Sequence, residues 1–181
     1  MRIIAGQWRG RKLVTPAGSA TRPTADRVRE ALFSMLASRI GSFEGLRAAD
    51  LFAGTGALGL EALSRGAAHC TFIEKDRPAV DMLSRNIEKL GAVDRSDIRT
   101  QSVEHATAPH PACDLILMDP PYRTGLAQVA LDRVAEGEWL APGGWISVEL
   151  CGESLAFPPA LQPEAERRFG KATIILIRRR D

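Results

Sequence analysis

The residues best suited to chemistry in this 181-residue chain stand together at Asp119-Pro120-Pro121-Tyr122. With proline near 5% of residues, chance supplies such a tetrapeptide in roughly one chain in a thousand of this size. Two prolines fix φ and remove two N–H donors, so the turn holds its carbonyl oxygens rigidly. The Asp119 carboxylate and the Pro120 carbonyl can then accept both N–H bonds of a planar exocyclic amine. The Tyr122 ring offers a face on which the attached ring can stack. This is chemistry for holding a heteroaryl amine.

A second group lies upstream, in Asp50-Leu51-Phe52-Ala53-Gly54-Thr55-Gly56-Ala57-Leu58-Gly59. Its glycines let a chain turn sharply from strand to helix and approach a ligand, and the helix N-terminus that follows offers free N–H groups. Glu74, in Phe72-Ile73-Glu74-Lys75-Asp76, ends the next apolar run, where a carboxylate can accept both hydroxyls of an adenosine ribose. The pair argues for an adenosine ligand. It does not choose between a nicotinamide cofactor and S-adenosylmethionine, and a tight turn without a ligand is the structural alternative.

The elements that must position these residues follow from the apolar pattern. Strands are expected at 48–52, 70–74, 97–100, 113–119 and 145–150, with helices at about 57–65, 77–90 and 125–136. Near-continuous apolar strands alternating with helices imply a doubly wound, mostly parallel α/β sheet covered on both faces. An antiparallel strand at 172–177, paired with one near 164–168, closes the chain. Before this body, Arg2-Ile3-Ile4 and Lys12-Leu13-Val14 read as a β-hairpin. A helix from Thr24, as N-cap, to Arg39 follows it. One domain spanning 1–181 is expected, with residues 1–40 as a basic hairpin-and-helix appendage and 41–181 as the catalytic body.

Composition sets the class. Hydrophobic residues at 45% and charged residues at 25% are those of a globular protein. No apolar run approaches the ~18 residues of a membrane span, and with no long apolar stretch after Met1 no secretory signal is expected. Cys70, Cys113 and Cys151 are too far apart in sequence for a zinc ribbon and fit a reducing cytoplasm as core residues. His69, His105 and His110 show no ligand spacing, so no metal is expected. The net charge of +2 hides an asymmetry: residues 1–39 carry eight basic and two acidic side chains. A basic end on an acidic body suggests a polyanion gripped there. Arg2, Arg9, Arg11, Lys12, Arg22, Arg27 and Arg29 are the candidates, with Trp8 placed to stack on a base or to pack beneath the hairpin.

Further stretches carry a resemblance over nearly the whole chain. Arg2-Ile3-Ile4-Ala5-Gly6, Gly10-Arg11-Lys12-Leu13 and the run from Thr21-Arg22-Pro23-Thr24 to Ala31-Leu32-Phe33 resemble the bacterial RsmD family. Gly59-Leu60-Glu61-Ala62-Leu63-Ser64-Arg65-Gly66-Ala67 and Phe169-Gly170-Lys171 also match its pattern. The resemblance implies a class I methyltransferase fold and transfer of the methyl group of S-adenosylmethionine, with S-adenosylhomocysteine as product, to a guanine N2 amine of 16S rRNA. It further implies a monomeric cytoplasmic enzyme acting on the small subunit or an assembly intermediate, without metal or membrane. Asp119, Pro120, Pro121 and Tyr122 would be catalytic. Asp50, Phe52, Ala53, Gly54, Thr55, Gly56, Glu74, Lys75, Ser102 and Val103 would hold the cofactor. One departure is Gln101-Ser102-Val103, where related enzymes often carry an acid for the cofactor adenine. The runner-up readings are a DNA adenine or cytosine amino methyltransferase and a non-catalytic RNA-binding assembly factor. The first has no room for a target-recognition domain, and the second leaves the amine and cofactor motifs unused. A dehydrogenase would leave Asp119-Pro120-Pro121-Tyr122 without a purpose.

Overall fold

A computed structural model describes residues 1–17 and 23–180. The apolar runs become β1 (Arg47–Asp50), β2 (His69–Glu74), β3 (Ser96–Thr100), β4 (Cys113–Met118), β5 (Leu140–Leu150), β6 (Leu161–Phe169) and β7 (Ala172–Arg179). Between or before them lie α1 (Pro23–Ile40), α2 (Ala57–Ser64), α3 (Arg77–Leu90) and α4 (Leu126–Glu136). Among the described residues the strands form one seven-stranded sheet of order β3-β2-β1-β4-β5-β7-β6. The first five run parallel, while β7 is antiparallel to β5 and β6 to β7. This is the mixed, mostly parallel sheet expected.

Side chains alternate across it. Ala48, Phe72, Leu115 and Leu117 face a core shared with α1, α2 and α3, whereas Ala49, Ile116, Met118 and Val148 face α4. Ile3, Trp8 and Leu13 from the N-terminal segment are buried in the first of these cores.

Three local expectations change. The helix begins at Pro23, so Thr24 lies inside its first turn and is not the cap; proline suits that position because its missing N–H needs no partner there. The expected strand 145–150 starts earlier, at Leu140, because Leu140 already pairs with Cys113; the ladder then breaks and resumes at Leu115↔Trp145, past Pro142, which has no N–H to give. The N-terminal hairpin forms but is short: about its Arg2↔Lys12 bridge, Ile3 N–H donates to the Arg11 carbonyl at 3.0 Å, Leu13 N–H to the Met1 carbonyl at 3.1 Å and Gly10 N–H to the Ile3 carbonyl at 2.9 Å. Past the bridge, backbone groups turn to helix side chains: Ile4 and Ala5 donate to the Glu61 carboxylate at 2.8 and 2.9 Å. Val14 donates to Asn86 Oδ1 at 2.6 Å.

Candidate active site

The sheet order reverses at β1, whose neighbours β2 and β4 lead away in opposite directions, and a crevice opens beyond the carboxyl ends of such strands. A cavity of about 390 Å³ occupies it. On its wall the structure brings together Phe52, Glu74, Lys75, Ser102 and Val103 with the whole of Asp119-Pro120-Pro121-Tyr122. Residues 70 positions apart thus meet because β1, β2, β3 and β4 end at one edge.

The half of the cavity with acceptors for an amine is a turn held by its prolines. Pro120 is buried, Asp119 opens to the cavity, and Tyr122 is 48% exposed. Thr124 Oγ1 donates to the Pro121 carbonyl at 2.8 Å, and Gly125, at φ +76°, starts α4. No turn or loop N–H bonds to the Pro120 carbonyl among the described residues, leaving it an available acceptor. Tyr122 Oη donates to Glu149 Oε1 at 2.6 Å. Water reaches the Asp119 carboxyl through the cavity, yet protein crowds it. Desolvation first, then the charges of Glu149 and Asp50, push its pKa upward. Desolvation and the hydrogen bond to Glu149 likewise raise the Tyr122 phenol, which keeps its proton and remains a donor.

The other half suits an adenosine. Glu74 accepts from the Gly54 N–H at 2.9 Å through Oε2 and from the Asp76 N–H at 2.9 Å through Oε1. Each oxygen retains a lone-pair direction for a ribose hydroxyl, and the two backbone bonds hold the carboxylate at the cavity wall. Leu51, Ile73, Val103 and Leu126 supply apolar surface for a purine. Glu104, also on the wall, provides an acid two residues past Ser102. Its carboxyl is held below the usual range by its own backbone N–H, then by the Ser102 hydroxyl and Lys75. Glu104 thus puts a carboxylate on the wall next to Gln101-Ser102-Val103.

Sequence reasoning missed Glu104 and Glu149. A signal existed for each: an acid in the loop after β3, and a lone acid in the apolar run of β5.

Several expected cofactor residues stand behind the wall. Asp50 is fully buried, and its Oδ2 accepts from the Gly59 N–H at 3.0 Å, tying α2 to β1. Burial pushes its pKa up to about 7, against the lowering influence of the Gly59 and Phe52 N–H groups. Ala53 is buried, and the Thr55 carbonyl accepts from Asn86 Nδ2 at 2.9 Å. Gly56 has φ +84°, and a Cβ there would stand 2.4 Å from Leu83 Cδ1. Both the left-handed backbone and the closeness of α3 favour glycine there. Gly54, at φ +53°, has open space where a Cβ would go.

The basic residues divide. Arg2, Arg9, Lys12 and Arg27 line a separate groove of about 640 Å³ that also holds Asp26 and Glu30. Arg11 is exposed but donates to the Lys89 carbonyl at 2.6 Å. Of the two places expected for Trp8, the one beneath the segment holds: it is 7% exposed, with the Arg95 guanidinium 5.0 Å from its ring centre, so its inclusion among the RNA-contacting candidates is corrected, as is that of Arg29. Arg29 is 5% exposed and paired with Asp26 at 3.1 Å and Glu61 at 3.8 Å, so its charge is spent inside the fold. Arg22 lies outside the described residues. Among them, no group of three or more His, Cys, Asp or Glu could hold a metal, and no helix is long and apolar enough to cross a membrane.

The conserved hypothetical protein 95 family matches residues 1–178. The chain is 42% identical over 149 residues to ribosomal RNA small subunit methyltransferase D of Escherichia coli, covering 82% of this chain and 74% of the relative. It is 40% identical over 153 residues to the Haemophilus influenzae protein of the same name, covering 82% and 78%. The solved structure of yhhF from Escherichia coli matches with a TM-score of 0.86 at 33% identity, over 100% of this chain and 98% of that one.

Proposed function

Since the chain belongs to the conserved hypothetical protein 95 family, the RsmD-like rRNA methyltransferases, we propose that it methylates the exocyclic N2 amine of a guanine in 16S rRNA with S-adenosylmethionine as donor. The observation that carries this reading is the meeting of an amine-holding turn and a ribose-binding carboxylate on one cavity. The residues fit such a donor: Glu74 would take the ribose hydroxyls, Glu104 and Ser102 the adenine edge, and Phe52, Ile73 and Val103 its faces. Lys75 flanks the same wall. When bound, the sulfonium supplies a methyl that is already a strong electrophile.

What remains for the chain is positioning and a usable nitrogen lone pair. An aryl amine delocalises that pair into its ring. Hydrogen bonds from its two N–H groups to the Asp119 carboxylate and the Pro120 carbonyl favour a pyramidal nitrogen and aim the pair at the cavity. The same acceptors stabilise the positive charge that grows on nitrogen, the inverse of an oxyanion hole. Pro121 keeps the turn rigid, and Tyr122 stacks on the base, which must leave its helical stack to reach this depth. Asp50, Ala53, Gly54, Thr55 and Gly56 shape the wall from behind. Arg2, Arg9, Arg11, Lys12 and Arg27 hold phosphates outside it. The chain works as one monomeric cytoplasmic unit on the small subunit or an assembly intermediate, without metal.

The test is methylation with labelled S-adenosylmethionine of small subunits from a strain lacking the gene, followed by mapping of the labelled nucleotide. Label in one N2-methylguanine of 16S rRNA is expected. Label in adenine or cytosine, or none in RNA, overturns the reading. Running naked rRNA in parallel identifies which state of the substrate is used.

A further inference from the structure

The mechanism employs two acceptors, Asp119 and the Pro120 carbonyl, and leaves a third beside them unused. Glu149 is a half-buried acid near the end of an apolar strand. The β4–β5 ladder runs to Met118↔Val148, so Asp119 and Glu149 are the residues that directly follow its last pair on two adjacent strands. Glu149 Oε1 takes the Tyr122 hydroxyl, while Oε2 accepts no hydrogen bond among the described residues. Its charge acts on both Asp119 and Tyr122. A second cleft, of about 790 Å³, begins just past these residues at Arg123 and Cys151. Tyr122 and Glu149 therefore stand where a base arriving from that cleft would meet the amine site.

Two carboxylates side by side repel each other unless donors lie between them. Guanine presents such an edge, with N1–H next to the two N2 hydrogens. Adenine and cytosine pair their exocyclic amine with a ring nitrogen that accepts, and that lone pair would oppose the Glu149 carboxylate. We propose that Glu149 selects guanine, its free oxygen accepting N1–H while Asp119 and the Pro120 carbonyl take the N2 hydrogens. This assignment rests on the guanine-amine reading above and adds the residue that excludes other amines.

The test uses small subunits reconstituted with 2-aminopurine in place of the methylated guanine, which keeps the 2-amine but makes N1 an acceptor. Wild-type enzyme is expected to show kcat/KM on this base at least about 100-fold below guanine, as sites built around a specific hydrogen bond do. Glu149→Gln, whose amide can donate to N1, is expected to bring the two bases within about tenfold, chiefly by losing activity on guanine. Tyr122→Phe removes the hydroxyl and leaves the carboxylate, so it keeps the preference for guanine. That arm separates edge reading from mere support of Tyr122. Equal use of both bases by wild-type enzyme overturns the proposal, as does an unchanged ratio in a folded Glu149→Gln or a lost preference in Tyr122→Phe. Failure of the wild type to methylate guanine N2 in natural subunits refutes the underlying reading instead.

Discussion

In the proposed reaction Asp119 accepts an amine N–H best as a carboxylate, yet its surroundings favour the neutral acid. Crowding protein, Glu149 and Asp50 all raise its pKa. The acidic limb of the kcat profile is therefore expected above the ordinary carboxylate range, with turnover rising as pH climbs through the raised value and Asp119 loses its proton. Asp119→Ala is expected to bind S-adenosylmethionine nearly as the wild type does in calorimetry and to lose at least about a hundredfold in kcat, because its contacts strengthen in the transition state. Full turnover in that variant would remove Asp119 from the chemistry. A limb at ordinary carboxylate pH would mean that water in the cavity screens the carboxyl from its neighbours.

The turn between β1 and α2 shows why an element is more than its motif. Both of its first two glycines have positive φ, but they answer to different neighbours. At Gly56 an added Cβ would strike the Cδ1 of Leu83, which is fully buried in α3. Gly56→Ala is expected to cost about 2–4 kcal/mol, the left-handed backbone penalty plus overpacking. Gly54→Ala meets open space and is expected to cost only about 1 kcal/mol. Urea denaturation checks the pair. Equal losses would show that backbone conformation alone matters there.

Across the whole molecule, the N-terminal segment is built into the body. Buried Glu61 collects the Ile4 and Ala5 N–H groups together with Arg65 and Arg29. Ser64 receives the Trp8 N–H, and Asn86 bridges Val14 to the Thr55 carbonyl of the glycine turn. Such anchoring holds the exposed cations at a set position relative to the cavity. Replacing Arg9, Arg11 and Lys12 together with Ala is expected to weaken RNA binding and flatten the slope of log K against log salt by about 2–3. S-adenosylmethionine affinity stays unchanged, since these side chains line neither half of the cavity. An unchanged salt slope would make the groove a structural surface only.

The order and kinds of elements were legible in the chain because apolar periodicity is local, and the α/β alternation of residues 47–150 follows it closely. Asp119-Pro120-Pro121-Tyr122 and Glu74 were legible for a related reason: parallel strands bring their carboxyl ends to one edge wherever they lie in sequence. What the sequence could not rank was burial of charge. Arg29 and Arg9 look alike in a basic stretch, and only packing against Glu61 and Asp26 separates a structural cation from a free one. Trp8 went beneath its segment because the core offered apolar cover. Asp50 closed the α2 turn from behind, and Glu104 came to the cavity wall beside Ser102. Glu149 came beside Asp119 through strand register. Local pattern thus determined which elements and motifs exist. Long-range contacts, which depend on how faces and registers meet, decided what each charge does.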